Sequence, residues 1–127
     1  MGIKLLRYTP TVLWFVGILV ASFMSSSHIS VKLYLFPHQD KLIHACMYFG
    51  LAFLFLCNSR HFFQLSLAFI SISVAIICTL SGIIEILQPI LSNRTNDVLD
   101  FVANGTGAIL AGAIVFALRK RLVLVNV

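Results

Sequence analysis

The chain has 127 residues, of which 60% are hydrophobic and only 10% charged, with a mean hydropathy of +1.02. A soluble domain carries about a quarter charged residues, so this composition excludes an ordinary soluble protein and makes lipid the solvent. The formal net charge of +5 does not describe a nucleic-acid binder either, because the nine Lys and Arg stand in ones and twos at the ends of apolar segments and form no stripe.

In hydrocarbon only helices and closed barrels satisfy their own backbone groups, and the long unbroken apolar runs favour helices. The first is expected over about residues 5–25. Its apolar part, Thr11 to Met24, follows Lys4 and Arg7 and ends in Ser25, Ser26 and Ser27, which resembles a secretory leader. Extension back through Leu5 and Leu6 brings it toward the roughly 20 residues a span needs, so an uncleaved helix is expected. A second helix, about 41–57, is interrupted only by His44, Tyr48 and Gly50. A third, about 62–91, is long enough to tilt and carries Pro89 near its end. The fourth, about 97–118, follows the polar stretch Ser92 to Asp97, with Asn96 as expected N-cap and Asp97 at the positive helix end. The basic triplet Arg119-Lys120-Arg121 closes it. The expected fold is therefore all-α: a single four-helix transmembrane bundle occupying residues 1–127.

An even number of spans puts both termini on one side with the loop that carries Arg60. That side holds Lys4, Arg7, Arg60, Arg119, Lys120 and Arg121, against Lys32, Lys41 and Arg94 on the other. The positive-inside rule then makes both termini cytoplasmic, and all four acids, Asp40, Glu85, Asp97 and Asp100, belong to the outer half.

The polar residues repeat at helical spacing. Asp40, Lys41, His44 and Tyr48 fall within an arc of about 100° on the second helix. Ser81, Glu85 and Gln88 make one stripe on the third, and Asp97, Asp100 and Asn104 one on the fourth. At a rise of about 1.5 Å per residue the stripes align in layers: Asp40, Lys41, Arg94 and Asp97 at the rim, then His44, Gln88 and Asp100, then Tyr48, Glu85 and Asn104. A charged carboxylate at the bilayer centre costs about 2.5–3.5 kcal/mol on insertion scales, so Glu85 must face the bundle interior or a water-filled cavity, or stay protonated. Gly105, Gly107, Ala108, Ala111, Gly112 and Ala113 give the fourth helix a small-residue face for close packing. Trp14 reads as ordinary membrane packing. Cys46, Cys57 and Cys78 lie in apolar segments without C-x-x-C spacing, which suggests neither a disulfide framework nor a thiolate zinc site.

The segment Asp40-Lys41-Leu42-Ile43-His44-Ala45-Cys46-Met47-Tyr48 resembles the D-K-x-x-H-x-x-x-Y segment of VanZ-like membrane proteins. Glu85 and Gln88, followed by Arg94, Asp97, Asp100, Asn104 and Gly107, resemble their E-x-x-Q, R, D-x-x-D and N-x-x-G segments. The resemblance implies a four-helix protein of cell envelopes, from a family whose namesake is associated with low-level resistance to the lipoglycopeptide teicoplanin.

Three functions follow as expectations, all placed in the bacterial inner membrane among membrane lipids. The leading one is an outward-facing polar pocket for a lipid headgroup or a lipid-linked envelope precursor. In it Lys41, His44 and Arg94 meet phosphate or carboxylate, and the acids meet hydroxyls or amines. The second is an intramembrane enzyme in which Asp40, His44, Asp97 and Asp100 hold magnesium, manganese or zinc, or act as acid and base. The third is a proton-coupled carrier using Glu85 and His44, which would need a homo-oligomer to enclose a path. No cofactor is identifiable from the residues themselves.

Overall fold

The computed structural model of the protein describes residues 6–24, 37–59, 65–92, 95 and 97–125. These form four helices and, among the described residues, no strand: α1 (Thr9–Phe23), α2 (Gln39–Cys57), α3 (Leu67–Leu91) and α4 (Val98–Val125). Three of them, α2, α3 and α4, are long and apolar enough to cross a membrane. The protein is therefore a multi-pass membrane protein by the length and composition of its helices.

The helix ends follow local chemistry. Pro10 stands in the first turn of α1, where its missing N–H costs nothing, and Arg7 and Tyr8 form a turn before it. At the other end Met24 turns extended while its N–H still reaches the Val20 carbonyl. The helix thus has 15 residues instead of the expected 5–25, a length of about 22 Å against a hydrocarbon core of about 30 Å. Helix α3 begins at Leu67, not near 62, because the Ser66 side chain accepts the Phe69 N–H at 3.0 Å and caps the first turn. Helix α4 runs through Arg119-Lys120-Arg121 to Val125. Arg and Lys are good helix formers, so the triplet that was expected to close the helix marks a change of charge within it. The expected cap Asn96 lies outside the described residues; Asp97 accepts the Leu99 N–H at 2.8 Å, which is the bond an N-cap makes.

Helices α2 and α4 form the largest interface and run from the same end. Their axes come close because Gly107 faces the backbone of α2: a Cβ there would collide with the Ala45 carbonyl and crowd the Phe49 N–H. Ala108 and Ala111 continue that contact and are fully buried. A core of Ile18, Tyr48, Leu51, Ala52, Ile77, Ala108 and Ala111 fills the middle of the bundle, and Leu56, Leu65, Ile70 and Val115 fill a second cluster. Leu42, Ile43, Ile72, Ile76, Ile83, Ile86, Ile109 and Leu110 point outward, as lipid-facing side chains should.

Helix α1 is tied to α2 at two points. Trp14 Nε1 donates to the Met47 carbonyl at 2.8 Å, with its indole laid over Gly50, where a Cβ would come within 2.7 Å of the ring. Asn58 Nδ2 donates to Thr11 Oγ1 at 3.1 Å. Trp14 is thus an anchor between helices and not merely membrane packing.

Gly107→Ala should lower stability by about 1–3 kcal/mol, the usual cost of overpacking a tight contact, because the Ala45 backbone cannot yield as a side chain would. Gly17→Ala, whose Cβ meets nothing within 4 Å, should be neutral or slightly stabilising. Thermal unfolding of both variants in the same detergent checks the pair.

Candidate functional site

The polar stripes of α2, α3 and α4 meet at the end of the bundle where α2 and α4 begin. Helix α2 is entered through His38 in the left-handed region (φ 61°). It then presents Asp40, Lys41, His44 and Tyr48 toward α3 and α4. Lys41 sits at the centre of the upper part: its Nζ donates to Asp97 Oδ2 and Asp100 Oδ1 at 2.5 Å each and to Asp40 Oδ2 at 2.7 Å. An ammonium group has three donors, and all three are used.

Below Lys41 the groups are buried. His44 Nδ1 lies 3.1 Å from Asn104 Oδ1, while Asn104 Nδ2 donates to Ser81 Oγ at 2.8 Å and to Glu85 Oε1 at 3.1 Å. With its amide nitrogen committed to those two acceptors, Asn104 presents its oxygen to His44, which fixes Nδ1 as the protonated ring nitrogen. His44 Nδ1 is also 3.8 Å from Glu85 Oε1, and His44 Nε2 is 3.7 Å from Asp100 Oδ2. Tyr48 and Gln88 are 1% and 2% exposed. The Tyr48 hydroxyl lies within electrostatic reach of Ser81 and Glu85. Neither it nor Gln88 Nε2 makes a hydrogen bond of ordinary geometry among the described residues.

Of the ten residues expected in the site, nine are therefore gathered at one end of the bundle, and Arg94 lies outside the described residues. Their layering differs from expectation. Asp100 reaches Lys41 at the rim, and Asn104 reaches His44, so α4 sits about one layer higher against α2 than a common start at Lys41 and Asp97 would give. The cause is that Gln39, not Lys41, opens α2, and that Gly107 locks against Ala45. Ser81 belongs to the network as well; its four-residue spacing from Glu85 was the signal for it.

The carboxylates and imidazole fall into two overlapping groups, each offering ligand atoms within 4.8 Å of one another: His44, Glu85 and Asp100, and Asp40, Asp97 and Asp100. The expected set of Asp40, His44, Asp97 and Asp100 is thus divided, with the rim aspartates held on Lys41 and His44 grouped with Glu85. The clefts along the helix flanks are apolar. One of about 330 Å³ between α1, α2 and α3 is lined by Phe15, Phe55 and Phe69 among others.

The Lys41 ammonium beside Asp97 holds that carboxyl below the usual carboxylate range, helped by the Leu99 N–H. A depressed folded-state value means that this contribution to stability is complete above the unfolded value near 4, and is lost as pH falls through the folded one. Lys41→Met should cost on the order of 2–3 kcal/mol, somewhat less than the loss of a partner from a fully buried ion pair, because Lys41 keeps some exposure. It should also flatten the decline in melting temperature between pH 5 and pH 3, as measured by differential scanning fluorimetry. Asn104→Ala, which strips partners from His44, Ser81 and Glu85, should cost at least about 1–3 kcal/mol in the same assay.

A family model described as VanZ/LLP1 covers residues 7–120, and no curated protein and no solved structure matches the chain. The matched region takes in α1, α2, α3, most of α4 and every residue of the polar cluster, and on that ground the chain belongs to the VanZ/LLP1 family.

Proposed function

We propose that the protein binds the polar headgroup of a membrane lipid, or of a lipid-linked envelope precursor, at the rim of the α2–α4 cluster. By engaging such molecules it would affect susceptibility to lipoglycopeptides of the teicoplanin type, as the family association suggests. The observation that carries this reading is the Lys41 ammonium held by Asp40, Asp97 and Asp100 above a buried His44–Asn104–Glu85 network.

That arrangement selects among headgroup chemistries. Lys41 has no donor left for a phosphate, whereas each rim carboxylate has acceptor capacity beyond its single bond to Lys41. Amines and hydroxyls are therefore the groups the rim receives, as charge-assisted hydrogen bonds to Asp40 and Asp97. A phosphate in the same headgroup falls to Arg94, whose planar guanidinium suits a phosphate better than an ammonium does. The bias of basic residues toward both termini supports cytoplasmic ends in the inner membrane, which turns the cluster outward, where envelope precursors are used.

A second reading, acid–base catalysis on a lipid-linked substrate, is favoured by His44 standing between Asp100 and Glu85. Product assays on lipid phosphates distinguish it, since binding alone yields no turnover.

Asp40→Asn and Arg94→Ala, purified from membranes after correct insertion, should each retain roughly tenfold less copurifying amine-headgroup lipid, the effect of about 1.4 kcal/mol. Each should shift teicoplanin susceptibility in a host that depends on the protein. Lipid content by mass spectrometry and susceptibility both unchanged in the two variants would overturn the reading.

A further inference from the structure

Among the described residues, four carboxylates and one lysine stand at this end of the bundle. Lys41 bonds Asp40, Asp97 and one oxygen of Asp100, while the second Asp100 oxygen and Glu85, which accepts from Asn104, stand beside His44. We propose that His44, Glu85 and Asp100 form a binding site for a divalent first-row metal ion of the manganese or zinc kind.

Four features of the geometry support this. One ligand atom from each residue lies within 4.8 Å of the other two, and each residue comes from a different helix. With Nδ1 donating to Asn104 Oδ1, a neutral His44 ring carries on Nε2 the lone pair that a metal takes, and Nε2 lies 3.7 Å from Asp100 Oδ2. That distance suits a shared metal ion, since two metal–ligand bonds of about 2.1 Å meeting at about 120° span about 3.6 Å. Asn104 also occupies the place of the partner that metal-binding histidines nearly always have on their other nitrogen, which sets the tautomer and the ring orientation. Finally, the Tyr48 hydroxyl is 1% exposed, lies beside Ser81 and Glu85, and has Ser81 as its one polar neighbour within hydrogen-bonding reach, short of ordinary geometry, among the described residues. A water bound to the metal would give it a partner.

The donor set narrows the ion. Calcium takes six to eight oxygens and magnesium keeps most of its waters, whereas one imidazole with two carboxylates suits manganese or zinc. Thiolate ligation plays no part, since Cys46 is exposed and no cysteine falls within either ligand group. Three protein ligands leave open positions on the ion.

This site lies under the proposed headgroup rim and stands without it. Metal binding is measured in lipid-free detergent micelles and lipid copurification in chelator-treated protein, so either reading can fail while the other holds. The full chain, stripped with EDTA and dialysed against manganese or zinc chloride, should retain about one ion per chain, as a built site does. Bound manganese should show nitrogen hyperfine coupling from the imidazole in pulsed electron paramagnetic resonance. His44→Gln and Asp100→Asn should weaken binding at least about tenfold, and Cys46→Ser should leave it unchanged. Failure of the wild-type protein to retain metal would overturn the proposal. So would retention without nitrogen coupling, which would place the ion on the rim carboxylates; that measurement needs no variant to fold.

Discussion

The outer surface of this bundle is isoleucine, leucine and valine, so charge carried on its helices has to be settled between them. The Lys41 ammonium settles most of it: three aspartates, one from its own helix and two from the start of α4, converge on a single nitrogen. Without that cation three carboxylates would stand together at the mouth of the bundle. With it they hold α2 and α4 in one register and leave Asp100 facing downward to His44. Below, Asn104 does for hydrogen bonds what Lys41 does for charge, since its single amide serves His44, Ser81 and Glu85.

The same helices show why the protein keeps such an arrangement between its helices. Apolar packing between membrane helices has little hydrophobic driving force, because lipid is as apolar as the side chains themselves. Small residues and polar contacts then carry the association. Gly107, Ala108 and Ala111 supply the first kind along α2 and α4, and the Lys41 and Asn104 networks supply the second. Nine of the expected polar residues and Ser81 at one end exceed what helix association requires, which is the ground for proposing a ligand for them.

Much of this was legible in the sequence because hydrocarbon leaves few alternatives. Four apolar runs gave four helices, and polar residues at three- and four-residue spacing had to share faces that turn inward, as His44, Glu85 and Asn104 do. What could not be read was register. The spacing places Asp97 and Asp100 on one stripe of α4, but only the packing of Gly107 against Ala45 decides that Asp100, and not Asp97 alone, meets Lys41. Helix ends were read less well for the same local reasons that fix them: Pro10 and Ser66 set where α1 and α3 begin, and nothing in Arg119-Lys120-Arg121 breaks a helix. The anchoring of Trp14 on the Met47 carbonyl carried no signal, because a tryptophan near a helix end looks the same whether it meets lipid or a neighbouring backbone.

Gly107 also decides which parts of the bundle are free to rearrange. Backbone against backbone, α2 and α4 act as one rigid plate, and α1 is stapled to it. Helix α3 meets that plate through side chains alone at Glu85 and Ser81, and Pro89 cannot donate to the Glu85 carbonyl one turn below. The last turn of α3, one backbone hydrogen bond short at the proline, is therefore the least constrained stretch of wall beside the polar floor.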